Sequence, residues 1–217
     1  MRGEPILSRI TLDDWGVLHR LQARRKLTLR LIVVGAASVV ALVQSSWPPD
    51  EWVRNAIDAA GLWLIVGCIF GRAWCGLYIG GRKSVELVDR GPYSISRNPL
   101  YLFSCVGTIG VGLRTGSLAM GALFLVAAII VMIPVIRVEE LVMRRSFGAA
   151  FEAYCNQVPR LLPRFPLWRD AEVLTLEPRH IRRIFGDSLF FLCTIPMIDV
   201  VAWVQGHGIL PVLLRLP

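Results

Sequence analysis

Residues 115–136, TGSLAMGALFLVAAIIVMIPVI, decide the fold. They carry no charge, and Arg137-Val138-Glu139-Glu140 follows at once. A helical run of roughly 20 apolar residues matches the hydrocarbon thickness of a bilayer. Leu31 to Pro49 is a second uncharged run. Two such runs argue against a single soluble core. Composition agrees: 54% of residues are hydrophobic, only 18% are charged, and mean hydropathy is +0.55.

Outward from that stretch, the chain divides into apolar segments and polar connections. The first expected span runs from about Leu27 to Trp47. It ends at Trp47-Pro48-Pro49-Asp50, with an interfacial aromatic and helix-stopping prolines. The second covers about Ala56 to Tyr78, with Arg72 inside it. Arg72 either snorkels to the headgroups or points at a polar site within the bundle. Pro99 to Leu113 and Ser117 to Val138 form a helical hairpin around the turn Arg114-Thr115-Gly116. Gly107, Gly110, Gly112 and Gly121 allow close helix packing there. Thr175-Leu176-Glu177-Pro178 reads as a helix start, and a fifth span follows over about Ile184 to Val204, with Pro196 inside it. Residues 1–26 read either as a basic helix on the membrane surface or as a solvated tail.

The expected fold is therefore all-α: a polytopic membrane protein of about five transmembrane helices, with a helical hairpin and a cytoplasmic cofactor pocket. Three regions follow. Residues 1–80 hold a surface helix and two spans, 81–170 a core with the hairpin and the polar motifs, and 171–217 the last span.

The net charge of +8 fits cytoplasmic loops better than nucleic-acid binding. Arg20, Arg24, Arg25, Lys26 and Arg30 precede the first span, and Arg82, Lys83, Arg90 and Arg97 follow the second. A further basic group runs from Arg137 to Arg183, whereas the other two connections carry only Arg54 and Arg114. The N-terminus is expected inside and the C-terminus outside, with segments 80–98 and 139–170 on one cytoplasmic face. Five cysteines with no Cys-x-x-Cys spacing favour neither a disulfide framework nor a zinc site.

Two polar segments carry the chemistry. The first is Leu87-Val88-Asp89-Arg90-Gly91-Pro92-Tyr93-Ser94-Ile95-Ser96-Arg97-Asn98-Pro99-Leu100-Tyr101. Gly91-Pro92 marks a turn, and Pro99 suits the first position of a helix. The helix start offers backbone N–H groups to an anion. A plain amphipathic connector with interfacial tyrosines is the alternative. The second segment runs from Arg137 through Glu139-Glu140 and Phe147-Gly148 to Tyr154 and Val158-Pro159-Arg160. Adjacent carboxylates at the end of a span are costly. They either serve a site or pair locally with Arg137, Arg144 and Arg145 at helical spacing.

Taken in order, the two segments resemble the isoprenylcysteine carboxyl methyltransferase and phospholipid methyltransferase group of integral membrane methyltransferases. That pattern is Gly-x-Tyr, Arg-His-Pro-x-Tyr, a helical hairpin, Glu-Glu, Phe-Gly, Tyr and Val-Pro. Its counterparts here are Gly91 and Tyr93, Arg97-Asn98-Pro99-Leu100-Tyr101, the hairpin, Glu139-Glu140, Phe147-Gly148, Tyr154 and Val158-Pro159. The likeness covers about Leu87 to Pro163. The departure is Asn98 in place of His. Asn keeps a donor and an acceptor but holds no proton near neutral pH, so it suits cofactor binding and not a base.

The resemblance implies S-adenosylmethionine bound between the two segments and transfer of its methyl group to a lipophilic acceptor. That acceptor would be a prenylcysteine-like carboxylate, a lipid amine or a small thiol. Glu86, Leu87, Val88, Gly91, Tyr93, Asn98, Pro99, Leu100, Tyr101 and Glu139 would line the cofactor. Arg137, Arg97 and Glu140 are the candidate catalytic residues, with Arg137 nearest the two carboxylates in sequence; Arg72 is a further cation for an anionic acceptor. No metal ligand set is expected. Partners would be membrane lipid and a lipophilic or lipid-modified substrate, in a bacterial inner membrane, with the endoplasmic reticulum as the alternative. Two other readings stay open: an NADPH-dependent membrane reductase of the sterol-reductase type, and a non-catalytic membrane protein.

Overall fold

Ser117 starts the long apolar helix as an N-cap. Its backbone is extended and its side chain accepts from the Met120 N–H, which satisfies one of the otherwise unpaired amides of the first turn. The helix then runs for 30 residues and stops at Gly148, whose φ of 51° turns the chain. Glu139 and Glu140 therefore lie within a continuous helix that extends well past the apolar run.

The computed structural model describes residues 35–48, 51–79, 87–172, 174 and 178–217. In chain order the elements are α1 (described over 35–42), β1 (Val43–Ser45), α2 (Trp52–Ile79), α3 (Pro92–Ile95), α4 (Pro99–Leu113), α5 (Leu118–Phe147), α6 (Ala149–Gln157), α7 (Pro178–Gly206) and β2 (Leu214–Leu216). The expected surface helix over 1–26 and the start of the first span lie outside the described residues.

The protein is a mostly helical membrane protein. Among the described residues three helices are long and apolar enough to cross a bilayer: Trp52–Ile79, Leu118–Phe147 and Leu189–Gly206. Trp63, Phe70, Ile130, Val200 and Trp203 are exposed on them, a distribution suited to lipid and costly in water. Two expected spans differ from their sequence reading. Pro99–Leu113 is apolar but shorter than a full span, because Pro99 and the Arg114-Thr115-Gly116 turn set its ends; Gly116 has φ 76°. The stretch expected to stay helical to Trp47 leaves the helix after residue 42. Val43–Ser45 instead pairs in parallel with Leu214–Leu216, Val43 opposite Leu214.

Glycines set the helix packing. A Cβ on Gly61 of α2 would lie 2.7 Å from the Gly110 carbonyl oxygen of α4. One on Gly112 would lie 2.6 Å from the Met120 carbonyl oxygen of α5. Gly107 and Gly110 thus face α2, while Gly112 and Gly121 close the hairpin. At this end Arg114 forms ion pairs with Asp58 of α2 and Asp199 of α7. The C-terminus is stitched to the hairpin by Ser117 Oγ donating to the Pro217 carbonyl at 2.7 Å. Gln205 donates to the Ala41 carbonyl at 2.9 Å, meeting an acceptor left open at the end of α1. The opposite end of the bundle holds both polar motif segments.

Candidate functional site

The first motif segment is built around Gly91. Its φ of 58° is left-handed, and a Cβ there would lie 2.2 Å from the Tyr78 ring. Only glycine fits both constraints. Its N–H donates to the Arg169 carbonyl at 2.7 Å. Pro92 then opens the short helix α3, and Ser94 Oγ donates to the Gly91 carbonyl while accepting from the Arg169 N–H.

The second segment lies directly against the first. Arg97 N–H donates to the Pro159 carbonyl and Arg164 N–H to the Ile95 carbonyl, each at 2.9 Å. Ser96 Oγ donates to the Leu161 carbonyl at 2.9 Å, and Tyr154 Oη to the Tyr93 carbonyl at 2.7 Å. Segments far apart in sequence are thus joined by backbone-directed bonds, which fix their spacing whatever the neighbouring side chains do.

Glu140 is the charged centre of this junction. It is 6% exposed, so its carboxylate has left bulk water. Arg97 Nη1 lies 3.2 Å from Oε1, Arg160 Nη2 donates to Oε2 at 2.8 Å, and Asn98 Nδ2 donates to Oε1 at 3.3 Å. Asn98 Nδ2 also reaches the Arg160 carbonyl at 3.2 Å. Its hydrogen bonds to the Glu140 carboxylate, together with that charge, push the Arg160 guanidinium above its ordinary value. Arg97 Nη1 is also 3.0 Å from Cys155 Sγ. Glu140 is therefore not held by local helical pairing. Glu140 uses Arg97 and Arg160, and Arg144 pairs with Glu152 instead.

Tyr93 stands beside this junction. It is 6% exposed, and its hydroxyl has no hydrogen-bond partner. Burial pushes its phenol well up, with Cys75, Tyr154 and Glu139 adding to the shift and Arg72 opposing it. The Tyr93 side chain packs with Cys75, one helical turn beyond Arg72 on α2. Arg97 Nε and Arg72 Nε are also buried without partners. Buried polar groups without partners are rare, and each is a place where a polar ligand or an ordered water would be stabilised.

The remaining expected residues fall as follows. Val88 and Leu100 pack on the cluster of Cys75, Tyr78 and Tyr93, Pro99 is buried, and Leu87, Tyr101 and Glu139 are half-buried. Glu86 lies outside the described residues. Arg137 is exposed and is not brought into the Glu140 cluster. Arg160 and Tyr154 emerge as structural partners that the site residues expected from sequence did not include. Arg160 follows Val158-Pro159, and a buried carboxylate at position 140 creates the need for a second cation.

These features define a class: a helical membrane protein whose polar site is assembled at one end of the bundle from the loop before a hairpin and the chain after it. The comparisons place it further. Residues 56–150 match the phospholipid methyltransferase family. The chain is 33% identical over 208 residues to the nickel-cobalt-cadmium resistance protein NccN of Alcaligenes xylosoxydans xylosoxydans, covering 95% of this chain and 93% of that protein. It is 32% identical over 181 residues to the cobalt-zinc-cadmium resistance protein CzcN of Cupriavidus metallidurans, covering 83% and 81%. The chain belongs to the phospholipid methyltransferase family, part of the isoprenylcysteine carboxyl methyltransferase-like group of membrane methyltransferases. No solved structure matches it.

Proposed function

We propose that the chain transfers a methyl group from S-adenosylmethionine to a lipophilic acceptor, at a site on the cytoplasmic face of a bacterial inner membrane. The observation that carries this reading is the unpartnered Tyr93 hydroxyl, buried next to the Glu140 junction. The residues present fit the cofactor. Glu139 would hold ribose hydroxyls or the ammonium group. Tyr93 would meet a polar or cationic ligand atom with its ring or hydroxyl, and Asn98 to Tyr101 would border it at the start of α4. Family membership supports the same cofactor, because methyltransferases of this family generally use it.

When bound, the cofactor supplies an electrophilic methyl group. The chain's own work is placement and exclusion of water, which suit an acceptor that already carries a lone pair. Arg97 and Glu140 act here as positioning residues, since Arg97 is paired with Glu140 and Glu140 with both Arg97 and Arg160. Exposed Arg137, three positions before Glu140, is one cation open to an anionic acceptor. Asn98 acts as a hydrogen-bond donor to Glu140, so no base is needed at that position. The alternative membrane reductase would bind NADPH at the same end.

The names of the two relatives favour a physiological setting: methylation of a membrane component in cells resisting divalent nickel, cobalt, zinc or cadmium. The test is growth of a deletion strain on these ions, complemented by wild type or by Glu139→Ala. We expect rescue by wild type alone. Equal rescue by both would separate the resistance role from methyl transfer. The biochemical test is binding of S-adenosylhomocysteine and NADPH to purified protein. NADPH binding without S-adenosylhomocysteine binding would overturn the proposal.

A further inference from the structure

Arg72 sits inside α2, a membrane-spanning helix, seven residues before its end. A cation at such depth ordinarily reaches a carboxylate, a carbonyl or water. Among the described residues Arg72 forms no ion pair. Its Nη1 donates to Ser104 Oγ of α4, and its Nε is buried without a partner. The Phe191 ring of α7 lies over the guanidinium, 5.8 Å from its carbon. Ser104 is itself satisfied, donating to the Leu100 carbonyl at 2.8 Å. So the hydroxyl offers Arg72 an acceptor and no charge.

Tyr93 adds the second observation. Its buried hydroxyl also has no partner, and its side chain packs with Cys75, one helical turn beyond Arg72 on α2. Two donors, one cationic and one neutral, are thus left open on the membrane side of the junction described above. An anionic oxygen group would satisfy both, because a charge-assisted bond to a guanidinium is the strongest such contact available in a dry site. Along the route from the bilayer stands α7. Few residues of its segment Leu189–Gly206 are fully buried, and Phe190 and Leu192 are exposed on either side of Phe191. A ligand tail would find lipid-like surface there, with Phe191 between lipid and Arg72.

We propose that Arg72 and Tyr93 form a receptor for a carboxylate-type anion, delivered either by the cofactor's amino-acid end or by the head of a membrane-dissolved acceptor. Ser104 holds the guanidinium in place, and Phe191 shields it from lipid. This deepens the methyltransferase reading and depends on it only for the cofactor as one of the two sources.

The experiment uses the full chain in lipid nanodiscs, as wild type, Arg72→Gln and Arg72→Lys. Three probe sets are titrated: S-adenosylhomocysteine, methylthioadenosine (which lacks the amino-acid end), and palmitate against its methyl ester. If the cofactor supplies the anion, Arg72→Gln weakens S-adenosylhomocysteine roughly 10-fold or more and leaves methylthioadenosine unchanged. If the acceptor supplies it, both nucleosides bind as in wild type. Wild type then prefers palmitate to its ester by a similar factor, and Arg72→Gln loses that preference. Arg72→Lys, which keeps the charge, restores part of the effect in either case; a purely structural role would instead weaken both nucleosides alike. The proposal is overturned if Arg72→Gln alters neither S-adenosylhomocysteine affinity nor the palmitate preference. It is equally overturned if wild type has no such preference and the variant weakens both nucleosides alike. Failure of wild type to bind either nucleoside, with the palmitate preference present and Arg72-dependent, overturns the methyltransferase reading and leaves the receptor standing.

Discussion

Asn98 donates its side-chain amide to Glu140 across 3.3 Å, and so joins the start of α4 to a buried carboxylate on α5. Arg97, the preceding residue, meets the same carboxylate at 3.2 Å. Removing the carboxylate would leave Arg97, with a side chain only 13% exposed, without its counter-charge. Loss of one partner of a buried pair costs about 3–5 kcal/mol. Glu140→Ala should therefore lower the thermal midpoint in detergent sharply. Asn98→His should be tolerated, and Asn98→Asp, which places a second carboxylate against Glu140, should not. Size-exclusion melting curves read all three. An unchanged midpoint for Glu140→Ala contradicts the junction.

Tyr93→Phe should have opposite effects on stability and binding. The unpartnered hydroxyl costs roughly 1–3 kcal/mol when buried. Its removal should raise the ligand-free melting midpoint. The same change should weaken S-adenosylhomocysteine, because the ligand loses a contact. A variant that is less stable and binds normally would show that the hydroxyl is no part of the site.

The hairpin gives a packing test. Gly112→Ala directs a methyl at the Met120 carbonyl, 2.6 Å from an ideal Cβ. The helices must part, at a cost of about 1–3 kcal/mol. Gly206→Ala, where nothing lies within 4 Å, is the control and should melt as wild type.

Acid should release one tether of the site. Tyr78 Oη donates to Asp170 Oδ1 at 2.6 Å. That bond, with a second from the Ala171 N–H, holds the Asp170 carboxyl below its ordinary value of 3.8. A lowered folded value stabilises the protein above the unfolded value, and the contribution is lost as pH falls through the folded one. The window thus opens below about pH 4. Trp74 and Trp168 stack nearby with centroids 5.5 Å apart, so tryptophan emission reads the change. Asp170→Asn should abolish the acid step; a step that persists in the variant has another origin.

The helices were legible in the sequence wherever apolar length and breakers acted together. Pro99 and Ser117 open the two arms of the hairpin as read, whereas the second arm runs past Val138 and stops only at Gly148. The end of α1 was not legible, because strand pairing of Val43–Ser45 with Leu214–Leu216 depends on a segment at the far end of the chain. The two motif segments lie against each other, as a site between them requires. Their charges paired differently, since Arg97 and Arg160 reach Glu140 through the tertiary fold and not through helical spacing. The glycines suggested close packing, yet which helix each one faces follows only from the assembled bundle.

The central claim is a cofactor site beside Glu139, between the two motif segments. Its most direct test is calorimetric titration of S-adenosylhomocysteine into the purified protein and into Glu139→Ala. The account predicts binding by wild type and a loss of roughly 10-fold or more in the variant, in keeping with a charge-assisted contact. Equal affinity in both proteins, or none in the wild type, would contradict it.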